Sequence, residues 1–587
     1  MNIFRARYRL LIIAAALAIS GCQLIAGRAI LPKGARSPEY KVRVEQGVAL
    51  AASDGVMLVA DIYKPETPEP APTILLRVPF TKTFKNDLGV EVVGRFWASR
   101  GYIVVVQGTR GRFKSGGTNY PLIHERQDGL DTLHWLAQQS WFDGRLGMWG
   151  GSAFGYTQWV LADQSEPGPM ALMIQIASTD FHGMFYPGGA FSLESALFWA
   201  ARSRGAKDRD PSMAELERGF QGFPLIQADD RGPGNTNYFK DWASHPQRDA
   251  YWKAIDGENR ARTLKAPVLL MAGWYDPFLP SQLHDYKTIK SEAQAGVAAG
   301  TRLIIGPWSH ADAVRFADGS TAGSYRRASL TPSLPWFDHQ LLGRSVDPSL
   351  AAPVKIYVMG KNVWRDEQEW PLARTRYETF YLSSHGHANS VRGDGMLTSK
   401  PPALGEGAER PDSFVYDPRR PVPSRGGAML GPRAGTYDQE QVEQRSDVLV
   451  YSTEPLAQDT EITGPIGVVL YVTTNAPSTD FTAKLVDVFP DGKAYNVSDG
   501  ILRRNYPPQM SASRPEEITI DLWPTSMLFR SGHRLRLEIS SSDYPRFDRN
   551  PNTGGNIATE THPQQATQQV IHDSAAVSRI ILPMIPR

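Results

Sequence analysis

The sequence has few cysteines, little net charge and no metal or nucleotide motif. Each of these absences argues against a class of structure or function. It contains one cysteine in 587 residues, so no disulfide can form within the chain. Its 63 basic and 61 acidic residues leave a formal net charge of +2, which gives no electrostatic case for nucleic acid binding. It has no His-Glu-x-x-His, cysteine–histidine cluster or glycine-rich phosphate loop, so no metal and no cofactor is indicated.

The apolar run at the N-terminus is too short to be a membrane span. Residues 10–19 form this run, and they follow the basic residues Arg5, Arg7 and Arg9. Ten residues cannot cross about 30 Å of hydrocarbon, so the pattern is typical of a secretion signal. The run ends in Ile-Ser-Gly-Cys, which resembles a bacterial lipobox and puts the single cysteine, Cys22, at the position that would be lipidated after cleavage.

We therefore expect residues 1–21 to be a lipoprotein signal peptide and Cys22 to carry the lipid. Residues 22–37 would then form a tether between the anchor and the folded body. Gln23 follows the cysteine in place of aspartate. In bacterial lipoproteins that residue implies export to the outer membrane, so we expect a lipid-anchored protein of the cell envelope. The alternative is a plain signal peptide with an incidental cysteine.

The most informative motif is a glycine–serine turn between a strand and a helix. Residues 145–149 are typical of a short buried strand, and residues 153–162 of the first turns of a helix. The two glycines before Ser152 allow a tight, strained turn that lifts the serine hydroxyl above a sheet. The helix N-terminus, beginning with the N–H of Ala153, supplies donors to a developing oxyanion. Taken alone, such a turn is equally common as a structural helix cap.

Two further residues follow Ser152 in an order that favours catalysis. Asp276 comes directly after an apolar strand, residues 266–275. His310 comes directly after the next apolar strand, residues 301–309. The carboxyl ends of parallel strands meet at one edge of a sheet, where open α/β sheets hold their sites. The order serine, acid, histidine is that of α/β-hydrolases. His310 would take the proton of Ser152, and Asp276 would orient the imidazole. Taken alone, Asp276 also fits the role of a turn residue, and His310 that of an ordinary loop residue. Together with Ser152 they favour a catalytic role.

The spacing of apolar residues divides the chain into regions of different character. In residues 38–178 buried strands alternate with helices, which predicts a mostly parallel sheet covered on both faces. Residues 179–265 lose the strand pattern and are rich in aromatics, which predicts an inserted helical cap over Ser152. Residues 266–350 return to the sheet. Residues 351–587 show short alternating strands with turn signals, which predicts a jelly-roll β-sandwich.

These features together resemble the cocaine-esterase and Xaa-Pro dipeptidyl-peptidase family of serine hydrolases, over nearly all of the mature chain. The matching stretches are Gly150-Gly151-Ser152, Gly273-Trp274-Tyr275-Asp276, Gly306-Pro307-Trp308-Ser309-His310, Thr109-Arg110-Gly111, Asp128-Gly129-Leu130-Asp131-Thr132 with Trp135, His245-Pro246 with Asp249 and Tyr251-Trp252, and Val358-Met359-Gly360 with Trp364-Arg365. The resemblance implies an α/β-hydrolase with an inserted cap and a C-terminal jelly roll, acting through an acyl-enzyme. It implies Ser152 as nucleophile, Asp276 as orienting acid and His310 as general base.

The stretch expected to complete the oxyanion site departs from the family pattern. Members usually carry Arg-x-Pro-Tyr, whose phenol reaches the oxyanion, whereas this sequence has Phe80 at the tyrosine position. The N–H of Ala153 remains as one donor. Losing one donor costs about 2.7–4 kcal/mol of transition-state stabilisation. We expect Thr81 or a backbone group to substitute; the alternatives are a slow enzyme or a different substrate.

The residues around the nucleophile also bear on the substrate. Ala153 stands where members commonly have tyrosine, which reshapes the floor of the pocket. We expect aromatic side chains to line an acyl pocket, namely Phe80, Phe154, Trp199 and Trp274. No acidic residue directly follows Ser152 to hold a substrate amine, which argues away from an aminopeptidase. Glu194 of the cap could supply such a carboxylate, or it is a solvated helix residue.

Three hypotheses therefore remain from the sequence. The leading one is a lipid-anchored serine hydrolase that cleaves an ester or amide with an apolar or aromatic acyl group through an acyl-Ser152. The second is an Xaa-Pro dipeptidyl-peptidase acting on short peptides. The third is a non-catalytic envelope protein whose jelly roll binds glycan or protein, a reading that the missing phenol at Phe80 favours and the serine–acid–histidine pattern opposes.

Overall fold

The structure is a computed structural model. It describes residues 32, 35–67, 70–80, 84–204, 209–257, 260–310, 314–321, 323–402, 410–506 and 515–586, without the side chains of residues 84–88. The expected signal peptide, the lipidation site Cys22 and the expected oxyanion donor Thr81 lie outside the described residues. Within those ranges, no helix combines the length and apolar character that crossing a membrane requires.

Ten strands form the first sheet. Their bounds are β1 Val42–Ala51, β2 Met57–Pro65, β3 Ala71–Val78, β4 Ile103–Gly108, β5 Phe142–Gly151, β6 Ala171–Gln175, β7 Val268–Tyr275, β8 Arg302–Ser309, β9 Val354–Val358 and β10 Val363–Glu367. The strand order is β1-β2-β4-β3-β5-β6-β7-β8-β9-β10. The seven strands from β3 to β9 run parallel, whereas β1, β2 and β10 are added antiparallel at the two edges.

Helices cover both faces of this sheet. Those flanking it are α1 Phe84–Ala98, α2 Glu125–Ala137, α3 Ala153–Trp159, α10 Leu279–Glu292, α11 Ala295–Gly300 and α12 Tyr325–Leu342. Successive residues of β3 divide between the two faces: Leu75 joins the core beneath α2, α3 and α10, whereas Ile74 and Leu76 join the core beneath α1 and α12. Every residue of β3 is buried, as expected for a parallel strand covered on both sides.

In the insertion between β6 and β7, the regular elements among the described residues are all helices. It contains α4 Phe181–Phe185, α5 Leu193–Arg202, α6 Met213–Phe220, α7 Ala228–Arg231, α8 Asn237–Ser244 and α9 Ala250–Asp256, with 3₁₀ turns at Pro187–Gly189 and Leu225–Gln227. Its aromatic residues stack mainly on one another. Phe185, for example, lies 4.7 Å from Trp242 and 5.3 Å from Trp252 between ring centroids.

The C-terminal part is all-β apart from one short helix, α13 Glu440–Glu443, within the residues described. Its strands are β11 Arg376–Ser383, β12 Met396–Thr398, β13 Asp412–Tyr416, β14 Leu449–Ser452, β15 Thr460–Gly464, β16 Gly467–Thr474, β17 Ser478–Val488, β18 Ala494–Asn505, β19 Glu516–Asp521, β20 Thr525–Phe529, β21 Arg534–Ser540, β22 Ala566–Ile571 and β23 Arg579–Met584. Apart from the parallel pair β12–β14, these described strands pair antiparallel. The predicted fold class, an α/β sheet with a cap and a C-terminal β domain, is confirmed.

The first sheet extends past the domain boundary that the sequence analysis predicts at residue 351. The sequence placed the start of the β domain at residue 351, but β9 and β10 belong to the first sheet. Val354 and Ile356 pair with Leu303 and Ile305 of β8, and both are fully buried. Because an alternating strand fits either a parallel sheet edge or a β-sandwich, the pattern alone did not indicate which sheet these residues join. The first sheet therefore extends to Glu367.

Candidate active site

The turn that carries Ser152 is strained in the way its glycines predict. Ser152 lies between β5 and α3 with φ 58° and ψ −127°, a conformation that non-glycine residues rarely adopt. Gly150 has φ 152°, and a Cβ there would lie 2.3 Å from the Cβ of Phe154. A Cβ on Gly155 would lie 2.6 Å from the Cβ of Ala177. Both positions therefore require glycine, and the turn holds the Ser152 side chain at the carboxyl end of the sheet.

Ser152, His310 and Asp276 lie in hydrogen-bonding contact. The Oγ of Ser152 is 2.8 Å from Nε2 of His310, and Nδ1 of His310 is 2.7 Å from Oδ2 of Asp276. Because a carboxylate only accepts, Nδ1 donates to Asp276, which leaves the lone pair of Nε2 facing the serine hydroxyl. The Asp276 side chain is 1% exposed and that of His310 is 12% exposed. The arrangement can move a proton from the serine to the imidazole.

The register between β7 and β8 brings the acid and the histidine together. Gly273 pairs with Gly306, after which the register shifts so that Tyr275 faces Ser309. A Cβ on Gly273 would lie 2.4 Å from the carbonyl oxygen of Trp308, and one on Gly306 would lie 2.5 Å from the Trp308 ring. The glycines of the two matching motifs therefore permit a close approach of the two strand ends. The N–H of Phe278 donates to Oδ1 of Asp276 at 2.9 Å and fixes the carboxylate.

Two buried glutamines, which the sequence analysis missed, connect the strand ends beneath the site. Gln158 of α3 donates to the carbonyl oxygens of Gly150 and Met173, both at 3.1 Å, and accepts from the N–H of Met173 at 3.2 Å. Gln282 of α10 donates to Ile174 at 3.4 Å and Met271 at 3.2 Å. They connect β5 to β6 and β6 to β7. The signal in the sequence was a polar residue on a helix face that is otherwise apolar.

The oxyanion site is described in part. Ala153 is the first residue of α3, so its N–H has no partner within the helix and is available to a ligand. Phe80 packs on Phe154 with ring centroids 5.3 Å apart, and its carbonyl oxygen accepts the N–H of Phe113 at 2.9 Å. The structure thus places Phe80 beside the nucleophile turn, without a hydroxyl. The role of Thr81 stays a prediction.

Ring contacts connect three of the predicted pocket residues to the site, namely Phe80, Phe154 and Trp199, but not Trp274. Phe278 lies 5.8 Å from the His310 ring and 5.1 Å from Phe181, and Phe181 lies 5.9 Å from Trp199. Trp199 is therefore connected to His310 through Phe181 and Phe278, two aromatics that the sequence analysis did not assign to the pocket. For Phe278 the available signal was its position two residues after the acid. For Phe181 it was only the aromatic density of the cap.

Trp274 is not brought to this group. Its Nε1 donates to the carbonyl oxygen of Tyr357 at 2.8 Å, and its ring lies 5.7 Å from that of Trp370. Both partners follow the sheet strand β8 in the chain. Trp274 therefore helps attach β9 to the sheet. The motif placed Trp274 two residues before Asp276, and that proximity in sequence suggested a pocket role.

Glu194 is not a solvated helix residue, because it is fully buried where the cap meets the β domain. Neither carboxylate oxygen has a hydrogen-bond partner among the described residues. Burial raises its pKa to about 7, although Arg433 and Arg546 oppose the shift. A Cβ on Gly431 of the β domain would lie 2.6 Å from its Oε1. As for metals, the described residues hold no cluster of three or more suitable side chains.

Comparison with known proteins places both parts of the chain. Residues 54–312 match the profile of X-Pro dipeptidyl-peptidase (S15 family), and residues 349–581 match that of the X-Pro dipeptidyl-peptidase C-terminal non-catalytic domain. The chain is 36% identical over 577 residues to cocaine esterase of Rhodococcus sp. (strain MB1 Bresler), covering 93% of this chain and 99% of that protein.

Solved structures show the same fold. An aminopeptidase from the marine sediment archaeon Thaumarchaeota archaeon superimposes with a TM-score of 0.77 at 24% identity, covering 95% of this chain and 99% of that one. An alpha-amino acid ester hydrolase gives a TM-score of 0.76 at 23% identity, with 94% and 98% covered. At these identities the likeness shows the architecture of sheet, cap and β domain.

Proposed function

Because the chain belongs to the family of cocaine esterase and X-Pro dipeptidyl-peptidase (S15), it is a serine hydrolase that cleaves esters or amides, and we propose that Ser152, His310 and Asp276 form its catalytic triad. The observation that carries the assignment is the pair of contacts at 2.8 and 2.7 Å, one on each nitrogen of His310. In that arrangement the imidazole can receive a proton on one side while the carboxylate stabilises it on the other.

The proposed reaction has two halves. Ser152 Oγ attacks the carbonyl carbon of the substrate as its proton passes to Nε2 of His310, and the N–H of Ala153 donates to the oxyanion. The tetrahedral intermediate then collapses, and the leaving alcohol or amine takes the proton from His310, which leaves an acyl-Ser152. A water molecule attacks this ester as His310 removes its proton. The acid product departs and Ser152 regains its hydrogen.

We further propose that the acyl group is apolar or aromatic and that the bond is an ester. The 36% identity to cocaine esterase supports this choice, and so does the ring of Phe278 beside His310, with Phe181 packed on Phe278 and Trp199 on Phe181. The second candidate is an Xaa-Pro dipeptidyl-peptidase, which the match to the S15 profile supports.

A substrate panel separates the two candidates. We expect p-nitrophenyl benzoate to be hydrolysed with a higher kcat/KM than p-nitrophenyl acetate, and the p-nitroanilides of Ala-Pro and Gly-Pro to be cleaved poorly. Phe278→Leu should lower kcat/KM for the benzoate more than for the acetate, because it removes a ring beside His310. Faster cleavage of the proline anilides than of either ester would instead assign the peptidase activity.

The second oxyanion donor is proposed to be Thr81. Thr81→Val should then lower kcat by about 100- to 1000-fold with little change in KM. The matched variant Phe80→Tyr restores the phenol usual in the family, and it should recover much of the loss in the Thr81→Val background. An unchanged rate in Thr81→Val would exclude this side chain and favour a backbone donor.

We also propose that the protein is a lipoprotein of the bacterial cell envelope, anchored to the outer membrane through Cys22. The support is the sequence itself: the basic residues, the ten-residue apolar run and the lipobox-like ending in the only cysteine. Expressed from its full gene, the protein should fractionate with outer membranes, and Cys22→Ser should appear in the soluble fraction. Unchanged membrane fractionation of Cys22→Ser would contradict lipid anchoring at this residue.

A further inference from the structure

The β domain holds one residue of the cap by both of its backbone groups. The N–H of Phe191 donates to Oδ1 of Asp548 at 2.9 Å, and the N–H of Asp548 donates to the carbonyl oxygen of Phe191 at 2.7 Å. Phe191 lies just before α5, and its side chain is buried. A few residues along, the N–H of Glu194 donates to the carbonyl oxygen of Pro545 at 3.0 Å. The entry into α5 is therefore attached to the β domain.

A buried arginine fixes the carboxylate that makes this contact. Arg503 donates to both oxygens of Asp548, at 2.7 and 3.1 Å, and to both oxygens of Asp480, at 2.8 and 2.7 Å. Asn550 donates to Asp480 at 2.8 Å. Burial alone would lower the pKa of Arg503, but the two carboxylates raise it well above its usual value, so the group stays a cation. We call Asp480, Arg503 and Asp548 the Arg503 clamp.

The backbone of the same cap loop lies directly against the β domain. Gly188 has φ 58°, and a Cβ there would lie 1.8 Å from the carbonyl oxygen of Ile501. Ala190 packs with Ile501 and Phe547 in a small buried cluster. The loop that leads to Phe191 is thus fixed at two points, and it has little freedom to move relative to β18.

Phe191 begins a row of aromatic rings that ends on the catalytic histidine. Centroid distances along the row are 6.2, 5.9, 5.9, 5.1 and 5.8 Å for the successive pairs Phe191–Phe185, Phe185–Trp199, Trp199–Phe181, Phe181–Phe278 and Phe278–His310. The first two pairs are stacked, with interplanar angles of 12° and 10°. Stacked rings in a close-packed core do not shift singly, so the position of Phe191 constrains that of Trp199.

We propose that Arg503 and Asp548 are positioning residues for the acyl pocket: by holding Phe191 they set where Trp199 and Phe181 stand relative to Phe278 and so select the size of the acyl group. The inference deepens the proposed function and rests on it, because the pocket receives an acyl group only if Ser152 forms an acyl-enzyme. It gives the β domain, whose family profile carries the description non-catalytic, a part in substrate selection.

Stability alone is a poor explanation for the clamp. Removing three charged groups from water is costly, and buried ion pairs are often no more stabilising than apolar residues of similar volume. The charged groups instead fix an orientation. The guanidinium of Arg503 orients the carboxylate of Asp548, and Oδ1 of Asp548 accepts the N–H of Phe191 in the cap. A geometric role of this kind affects selectivity, whereas a merely structural role affects only the free energy of unfolding.

The test is Asp548→Asn in the full chain. Asparagine is neutral and keeps one acceptor oxygen, so its NH₂ group faces either Nη1 of Arg503 or the N–H of Phe191. Either orientation puts two donors together and disturbs the clamp. We expect kcat/KM for p-nitrophenyl benzoate to fall by about tenfold through KM, while kcat/KM for p-nitrophenyl acetate and the rate of fluorophosphonate labelling change little. The matched control is Glu443→Gln, which weakens the buried Arg536–Glu443 pair (2.6 Å) within the β domain. It should lower the Tm and leave the benzoate-to-acetate ratio unchanged.

The outcomes are distinct. A folded Asp548→Asn with the wild-type ratio would overturn the inference. If this variant does not fold, Phe191→Leu decides, because it removes the first ring of the row and leaves the clamp intact; an unchanged ratio there would overturn the inference equally. If the wild-type protein neither labels nor hydrolyses either ester, the proposed function itself fails, and this result differs from any change in ratio.

Discussion

The described part of the chain includes two clusters of serine, histidine and aspartate, and they differ in which atoms meet. In the first, Ser152 and Asp276 contact different nitrogens of His310. The imidazole therefore lies between them, with one nitrogen free to accept a proton while the other donates. Its side chain is 12% exposed, so a substrate can approach.

The second cluster lies in the β domain and has both partners on one nitrogen. His572 Nε2 is 2.9 Å from Oδ2 of Asp412 and 3.2 Å from Oγ of Ser384, and Ser384 itself donates to Asp412 at 2.7 Å. Because Nε2 must donate to the carboxylate, it has no lone pair left for the serine proton. Asp412 also accepts from Tyr451 Oη and Ala388 N–H, both at 2.7 Å, and the histidine is fully buried.

The difference teaches that residue identity does not define a catalytic triad. Both clusters hold the same three side chains within hydrogen-bonding distance. Only the first places the serine and the carboxylate on different nitrogens of the imidazole, and only its histidine is partly exposed. The second is a buried network in which one carboxylate accepts from four donors on segments far apart in the sequence.

Removing the serine hydroxyl should affect activity very differently in the two clusters, and this is the largest difference that we expect between them. Ser152→Ala should lower kcat on the order of 10⁶-fold, because it removes the nucleophile. Ser384→Ala removes hydrogen bonds with Asp412 and with the N–H of Gly386 inside the β domain, so kcat should stay within about twofold of wild type while the Tm falls. Steady-state hydrolysis of p-nitrophenyl benzoate measures the first effect, and calorimetry the second. Comparable loss of activity in both variants would refute the distinction.

Neutralising Asp276 should lower the activity, whereas neutralising Asp412 should lower the stability. Asp276→Asn disturbs the tautomer of His310 and should lower kcat by about 10⁴-fold. Asp412→Asn leaves the site intact but disrupts a buried contact with His572, at a cost of about 3–5 kcal/mol in the free energy of unfolding. Single-turnover kinetics on both variants measures the loss of catalytic rate, and urea unfolding measures the loss of unfolding free energy. If Asp412→Asn lost its activity while still folded, the second cluster would be more than structural.

Acid should weaken the second cluster in a way that depends on Asp412. Burial by itself raises the pKa of this carboxyl, but donors from His572, Tyr451, Ala388 and Ser384 outweigh burial and hold the pKa below its usual value. A carboxyl with a depressed folded-state pKa contributes stability that is present above its unfolded pKa, about 3.9, and is lost as pH falls through the folded value. The stability difference between wild type and Asp412→Asn should therefore narrow below about pH 4. A constant difference from pH 7 to pH 3 would contradict this.

The smallest expected effect comes from Tyr451→Phe. This change removes one of the four donors to Asp412 and keeps the ring, so the free energy of unfolding should fall by about 1 kcal/mol. Activity should be unchanged. Chemical denaturation with a fixed m-value measures the difference, and the same variant checked at pH 4 shows whether the pKa of Asp412 rises as expected. No change in stability would mean that this hydroxyl contributes nothing to the network.

The sequence predicted the features that depend on short motifs. The turn at Ser152 requires glycines by local sterics, and the strand ends at Asp276 and His310 follow from apolar runs that stop at polar residues. The fold class followed from the alternation of strands and helices. What the sequence did not indicate depends on contacts between distant residues: Asp548 meets Phe191, 357 positions away.

The features that the sequence did not indicate have related causes. The sequence did not show that β9 and β10 join the first sheet, because an alternating strand does not show which sheet it joins. Glu194 is buried rather than solvated because the β domain covers the face of α5 on which it lies. Gln158 and Gln282 were missed because a polar residue on an otherwise apolar helix face does not indicate which backbone groups it binds. In each case the missing information was a tertiary neighbour.

The most direct test of the central claim is to map a fluorophosphonate label on the wild-type protein by peptide mass spectrometry. Ser152 is held on a strained turn beside the free lone pair of His310, so the label should appear on the peptide containing Ser152, at one equivalent per chain. Ser384 should stay unlabelled, and Ser152→Ala should take up none. Labelling at another serine, or no labelling of a folded wild-type protein, would contradict the assignment of Ser152, His310 and Asp276 as the catalytic triad.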